Sequence, residues 1–431
     1  MKAEHEMETT KKLCQRPLYL NKIRPFRDDC EMIKVLVGVR RCGKSSIMEL
    51  IRRELENEGA PKENLLFLNL DAKENIDIHT PKGLMRKIDA LAKASKPGIK
   101  YLFIDEVQNV KDFERVVNAY REEGDYSVFI TGSNGYLLSG QLATKLTGRY
   151  MEFHIGTLLF SEYLAMKRFL NKPVQGNRDV EFNEYILNGG FPRSVEYDDP
   201  AAKREYAKEV IREIYQKDVL TNKTIKNGAL FEQVQRYAIH NFGATFSARS
   251  LAEELSKTNG VVHSMRTIYH YLEILEKAQI ISRCERFDLK SKKSLAREEK
   301  FYLADLSFYF ANNVDNRVPY GPVLENIVFN YAKCMGYEAS IGKIGKLEVD
   351  FILRKGWDQY AYVQVAKTID NGIYDENGVP KTEEREYRPL ESIRDNYPKF
   401  VLTMDHLLQR RNGIVHANLV EFLQAENPFL R

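Results

Sequence analysis

The stretch KVLVGVRRCGKSS, Lys34 to Ser46, constrains this chain more than any other. Ile33 to Val37 is a short, mostly β-branched run, the pattern of a buried strand. From Gly38 to Ser45 the spacing is G-x-x-x-x-G-K-S, the Walker A or P-loop pattern. Beyond it, Ile47, Met48, Leu50, Ile51 and Leu55 recur at helical spacing, and Gly59 stops the helix. Gly38 and Gly43 let the backbone curl so that successive N–H groups face a phosphate. The helix that begins near Lys44 adds the positive end of its dipole. Gly38, Arg40, Arg41, Cys42, Gly43, Lys44, Ser45 and Ser46 are therefore expected to hold ATP. Lys44 would reach the β- and γ-phosphates, and Ser45 would place its hydroxyl on Mg²⁺.

A second signal follows about sixty residues on. Tyr101 to Ile104 is an apolar run that ends in Asp105 and Glu106, the Walker B pattern. Asp105 is expected to hold the hydration shell of Mg²⁺, and Glu106 to polarise the attacking water. A fourth run, Tyr126 to Ile130, leads into Thr131-Gly132-Ser133-Asn134. Ser133 and Asn134 are candidates for a γ-phosphate contact, with Asn134 taken as the catalytic one. Arg149 precedes a fifth run, Tyr150 to Ile155. A planar cation suits a transferring phosphoryl group, so Arg149 is a candidate trans-acting finger or sensor. Strands alternating with helices predict an α/β fold with a doubly wound parallel sheet.

At 431 residues the chain exceeds one ordinary core, and it divides into segments 1–170, 171–223, 224–311 and 312–431. A net charge of +4 does not by itself imply nucleic acid, so local clusters must carry that argument. Five cysteines are scattered and odd in number, and no pair has metal-ligand spacing, as expected in a reducing cytoplasmic compartment. The charged N-terminus lacks the apolar core of a signal peptide, and no apolar run approaches a membrane span.

The second segment reads as a small helical lid around the loop GGFPRS, Gly189 to Ser194. The third has helices at Phe231–His240, after Ser247 and around Ile268 to Leu275. Strands Ile280–Asp288 and Lys300–Asp305 follow, flanking the basic loop LKSKKSLAREEK. Three helices and a hairpin make a winged helix. Ser264, Arg266, Thr267 and His270 would face a groove, and Lys290, Lys292, Lys293 and Arg297 would meet phosphates, so DNA is a candidate partner. In the last segment, Glu325 on a helix, Asp350 on a strand and Gln364 on the next follow the order of a PD-(D/E)XK nuclease core. The lysine that such a site needs is one position late, at Lys367, which turns it to the opposite strand face.

Taken together, GVRRCGKS, YLFIDEVQNV, FITGSN, LTGRYMEF, NGGFP, EKFYLADLS, LENIVFN, EVDFI and YVQVAK resemble the prokaryotic AAA-type ATPases that end in a PD-(D/E)XK-like domain of unknown function. The resemblance covers nearly the whole chain. It implies an AAA-type P-loop core, a winged helix and a degenerate nuclease-like α/β domain. The Walker residues Gly43, Lys44, Ser45, Asp105 and Glu106 carry over position by position, and Arg149 lies in the matching LTGR segment. Three functions are open at this point. The first is an ATP-hydrolysing switch or motor acting on DNA, with a further copy of the chain or another protein as partner. The others are a non-enzymatic ATP-sensing DNA-binding or assembly regulator and an ATP-dependent nuclease.

Overall fold

The structure, a computed structural model, describes residues 12–132, 146, 148–219, 225–291, 293–313, 317–370, 372–374, 378, 380–425 and 428–430. In chain order, α1 (Pro17–Ile23) leads into β1 (Ile33–Val37), α2 (Lys44–Asn57), β2 (Leu65–Asn69), α3 (Pro81–Ala92) and β3 (Lys100–Asp105). Then come α4 (Phe113–Glu122), β4 (Tyr126–Thr131) and β5 (Tyr150–His154). Among the described residues these five strands form one sheet, ordered β2-β3-β4-β1-β5, and each neighbouring pair is parallel. The expected doubly wound sheet is present, with β4 inserted between β1 and β3.

Alternation along β1 sorts its side chains. Ile33, Val35 and Val37 face a core shared with Leu84 of α3 and Val116 of α4, while Leu36 joins Phe103 and Phe129 on the other face. That second face does not end at the sheet. Its buried cluster runs on through the helical segment, the hairpin and much of the C-terminal sheet, as far as Phe422 and Phe429.

A helical segment follows: α5 (Phe160–Phe169), α6 (Arg178–Asn188) and α7 (Pro200–Ile214), the last closed by a π-helical turn at Tyr215–Val219. Next come α8 (Gly228–His240), β6 (Thr245–Phe246), α9 (Ala248–Asn259), α10 (Met265–Lys277), β7 (Ile281–Asp288) and β8 (Lys293–Leu303). Strand β8 starts seven residues before Lys300, where the sequence predicts it. Pairs Asp288↔Lys293 and Arg286↔Leu295 extend the ladder, so much of the basic stretch is strand rather than loop. Lys292 lies outside the described residues.

The chain closes with α11 (Ser307–Asn312), α12 (Tyr320–Met335), β9 (Glu338–Ile344), β10 (Leu347–Lys355), β11 (Gln359–Val365), α13 (Lys381–Glu391), β12 (Lys399–Thr403), β13 (Arg410–Arg411), β14 (Ile414–Asn418) and α14 (Leu419–Phe422). The hairpin β7–β8 is not a separate body. β7 pairs in parallel with β9, through Arg286↔Ile341 and Asp288↔Lys343, and joins hairpin and C-terminal strands in one sheet. The expected division at 311/312 falls inside α11, and the sheet continues across it.

Candidate nucleotide site

The P-loop lies between the end of β1 and the start of α2, as its spacing requires. Gly43 has φ +107°, open only to glycine at low cost. A Cβ on Gly38 would stand 2.2 Å from the Ile155 carbonyl oxygen and 2.7 Å from Cys42 Sγ, so the loop is pressed against the end of β5. Lys44 is buried, and its ammonium points into the loop, donating to the carbonyls of Gly38 at 2.8 Å and Val39 at 3.3 Å. Ser45 is exposed and Ser46 half-buried in the first turn of α2.

Three of the expected nucleotide residues have their side chains engaged elsewhere. Cys42 is fully buried, and its thiol meets the Ile155 carbonyl at 3.1 Å, so only its backbone serves the loop. Arg41, in the left-handed region at φ +65°, pairs with Glu213 of α7 at 2.6 Å, and Arg40 lies 3.9 Å from the same carboxylate. Arg41 also stacks on Tyr206 at 5.4 Å. These arginines tie the P-loop to the helical segment above it.

At the tip of β3, Asp105 is buried and accepts a hydrogen bond from the Thr131 hydroxyl. Thr131 ends β4, in register with Leu36 of β1, so acid, hydroxyl and P-loop stand along one edge of the sheet. The same hydroxyl accepts from the Glu106 N–H at 3.2 Å. Glu106 has φ +57° and accepts from Gln108 Nε2 at 2.5 Å. The sequence pointed to Ser133 and Asn134, which lie outside the described residues. Thr131 was missed, although a hydroxyl closing an apolar strand beside Asp-Glu was the available signal.

Arg149 stands elsewhere. Its carbonyl accepts from Ile33 N–H at 2.9 Å, which puts it at the start of β1, while the P-loop follows that strand's other end. Five residues of strand separate the two by roughly 16 Å. Its guanidinium is exposed, 3.3 Å from Glu122. A sensor role within its own chain does not fit this position, and the guanidinium instead contacts Glu122 and Asn118.

In the C-terminal unit the expected acids do converge, but around an unexpected partner. Lys300 of β8 places its ammonium 3.0 Å from Glu325, 3.2 Å from Glu348 and 3.9 Å from Asp350. Burial disfavours that charge, and Glu325, Asp350 and Glu348 outweigh it, so the amine holds its proton well above the usual lysine range. Asp350 is pushed well up by burial and by Glu325, with Lys300 pulling the other way. Gln364 donates to Glu386 at 2.8 Å and accepts from the Asp350 N–H at 2.6 Å. Lys367 lies beyond the end of β11 and rests on the Tyr320 ring at 4.3 Å. Among the described residues, no group of three or more His, Cys, Asp or Glu side chains could hold a metal ion.

The sequence is 32% identical over 416 residues to an uncharacterized protein of Haemophilus influenzae, spanning 96% of this chain and 99% of that one. The chain belongs to that protein's family. An uncharacterized protein of Methanocaldococcus jannaschii is 30% identical over 331 residues, 74% of this chain and 72% of its own. Residues 31–164 match the model of an AAA domain, and residues 179–316 that of a domain of unknown function (DUF8612). The solved structure of a Walker-type ATPase from Pyrococcus abyssi is similar at a TM-score of 0.49 and 16% identity, over 69% of this chain and 95% of that one. Within the family, then, this member carries a P-loop domain of the AAA type. No helix among its described residues is long and apolar enough to cross a membrane.

Proposed function

We propose that the chain is a Mg²⁺-dependent ATPase. The observation that carries this reading is the cradle itself: a glycine-shaped loop with a lysine ammonium turned inward and a buried carboxylate two strands away along the same edge. Lys44 would exchange its carbonyl partners for the β- and γ-phosphates. Asp105 and Ser45 would give Mg²⁺ two oxygen ligands, a partial set that phosphate oxygens and waters usually complete. The bound ion would draw charge off the phosphoryl oxygens. Glu106 would orient the attacking water and accept its proton, with Thr131 holding both acids in place. Arg149 would serve a neighbouring copy of the chain.

We read α8 to β8 as a winged helix that carries the output. Its third helix, α10, and the turn that leads into it are mixed in character. Ser264 and Arg266 are exposed and Thr267 and His270 half-buried, but the apolar Val262, Met265 and Tyr269 also face solvent. That mixture favours a second reading, a protein partner, alongside DNA. The C-terminal unit is proposed to bind or assemble rather than to cut, because an ammonium fills its carboxylate cluster. Steady-state phosphate release, alone and with single- or double-stranded DNA, tests the first claim. Absence of turnover under all three conditions would leave an ATP-sensing regulator. If DNA binds the wing, Lys290, Lys292 and Lys293 changed together to Ala should flatten the salt slope by about 0.9 per lost phosphate contact. An unchanged slope would assign the wing to a protein.

A further inference from the structure

Arg16 lies outside the P-loop motif and before the matched AAA segment, yet its buried side chain reaches the loop. Nη1 donates to the Cys42 carbonyl at 2.9 Å. Nη2 donates to the Gly156 and Thr157 carbonyls at 3.1 and 3.3 Å, just past β5. Nε and Nη2 grip Glu162 of α5 at 2.9 and 2.8 Å. Glu162 in turn accepts from the Leu159 N–H at 3.0 Å, so the guanidinium is held by a capped helix end. Arg16 also lies over the Tyr19 ring, 4.5 Å from its centroid.

The consequence follows from peptide geometry. A trans peptide is planar, and its C=O and N–H point in opposite directions. Fixing the Cys42 carbonyl on Arg16 therefore turns the Gly43 N–H to the other side. The loop's N–H groups are what a nucleotide's phosphates would meet. A charged donor on the carbonyl also polarises the peptide and makes its N–H a stronger donor. Glu162 neutralises the guanidinium, so it acts on the carbonyl and does not itself draw the phosphate away. A lysine could not make these contacts at once, because its ammonium lacks the planar fork.

We propose that Arg16 is a positioning residue of the phosphate cradle, acting through the Cys42–Gly43 peptide on the α- and β-phosphates of a bound nucleotide. This rests on the nucleotide-binding reading above. The test uses the full chain, with fluorescent ADP in equilibrium titration, adenosine as competitor, and thermal melting alongside. Wild type comes first: if it binds no ADP, the nucleotide reading fails, and this proposal with it, before any variant is compared. Given binding, Arg16→Lys should melt cooperatively and bind ADP about tenfold more weakly, the scale of a hydrogen bond to a charged group. Its adenosine affinity should stay within about twofold, since adenosine has no phosphate for the loop to grip. Arg16→Met should weaken ADP at least as much. Wild-type ADP affinity in a folded Arg16→Lys chain would overturn the proposal. So would parallel losses for ADP and adenosine, or failure of Arg16→Lys itself to fold, because either makes Arg16 a general brace.

Discussion

Two residues separate binding from chemistry at the nucleotide site. Lys44 would contribute its charge to ground state and transition state alike, whereas Glu106 would act only on the attacking water. Lys44→Ala should therefore abolish nucleotide binding. Glu106→Gln should keep binding and lose about 10²–10⁴ in turnover. Filter binding of labelled ATP with phosphate release distinguishes them, and wild-type turnover in Glu106→Gln would remove Glu106 from the mechanism. Lys34 makes a different kind of prediction. It is fully buried in β1, satisfied by the Asp29 and Met32 carbonyls and the Ser127 hydroxyl at 2.6, 3.0 and 2.8 Å. Burial pulls its pKa down to about 8 from 10.5, against the raising influence of Asp29, Cys30 and Asp28. Between those values the unfolded chain carries the proton and the folded chain does not. Stability due to this residue thus rises with pH across that window, by up to about 1.4 kcal/mol per unit, and is lost as pH falls toward 8. Denaturant melts of wild type and Lys34→Met at pH 8, 9 and 10 read the difference. Equal slopes would show that the amine keeps its proton in the fold.

At the scale of elements, the contact between the helical segment and the end of β8 explains two motifs that sequence reading left without a role. In Asn188-Gly189-Gly190-Phe191-Pro192, the Gly190 N–H donates to Asp305 at 2.8 Å, and its carbonyl accepts from the Leu158 N–H at 2.7 Å. Gly189 has φ +71°, and a Cβ there would meet Asp305 Oδ1 at 1.9 Å. Asn326 of α12 takes both the N–H and the carbonyl of Leu303 at 2.7 and 3.0 Å, fixing the same corner from the C-terminal side. Gly189→Ala should destabilise the fold by roughly 2–4 kcal/mol, combining backbone strain with a clash against a buried carboxylate. A Cβ on Gly176 would meet nothing within 4 Å, so Gly176→Ala should stay within about 0.5 kcal/mol. Urea midpoints at constant m measure both. Equal midpoints would mean that the corner yields without cost.

For the whole molecule, the question is what joins the hairpin to the C-terminal unit. Besides the β7–β9 pairing, Lys300 supplies it. The amine comes from β8 while Glu325 is on α12 and both Glu348 and Asp350 are on β10, so its removal takes the shared cation from carboxylates on two other elements, with Glu348 keeping Arg286. Lys300→Met should cost about 3–5 kcal/mol, and adding Glu325→Gln should return part of it. Additive losses in the double variant would deny the coupling. The same arrangement predicts that wild type does not nick supercoiled plasmid with Mg²⁺ or Mn²⁺ above the level of Asp350→Ala. Nicking that vanishes in Asp350→Ala would revive the nuclease reading.

Periodicity alone located the strands at Ile33–Val37 and Gln359–Val365, because each of these is decided by neighbours in the chain. The P-loop was legible for the same reason: strand, glycines and lysine are covalently consecutive. The reach of β8 was not, since its pairing with β7 overrode a run of lysines that reads as loop. Nor were the partners of Arg16, Gly190 and Lys300. Arg16 and Glu162 are 146 residues apart, Gly190 and Asp305 115, Lys300 and Glu325 25. A buried charge or a glycine at positive φ announces that some partner is required, but the local pattern does not say which. Only the packed chain, with the hairpin laid along β9 and α1 set against the P-loop, brought those groups within hydrogen-bonding distance.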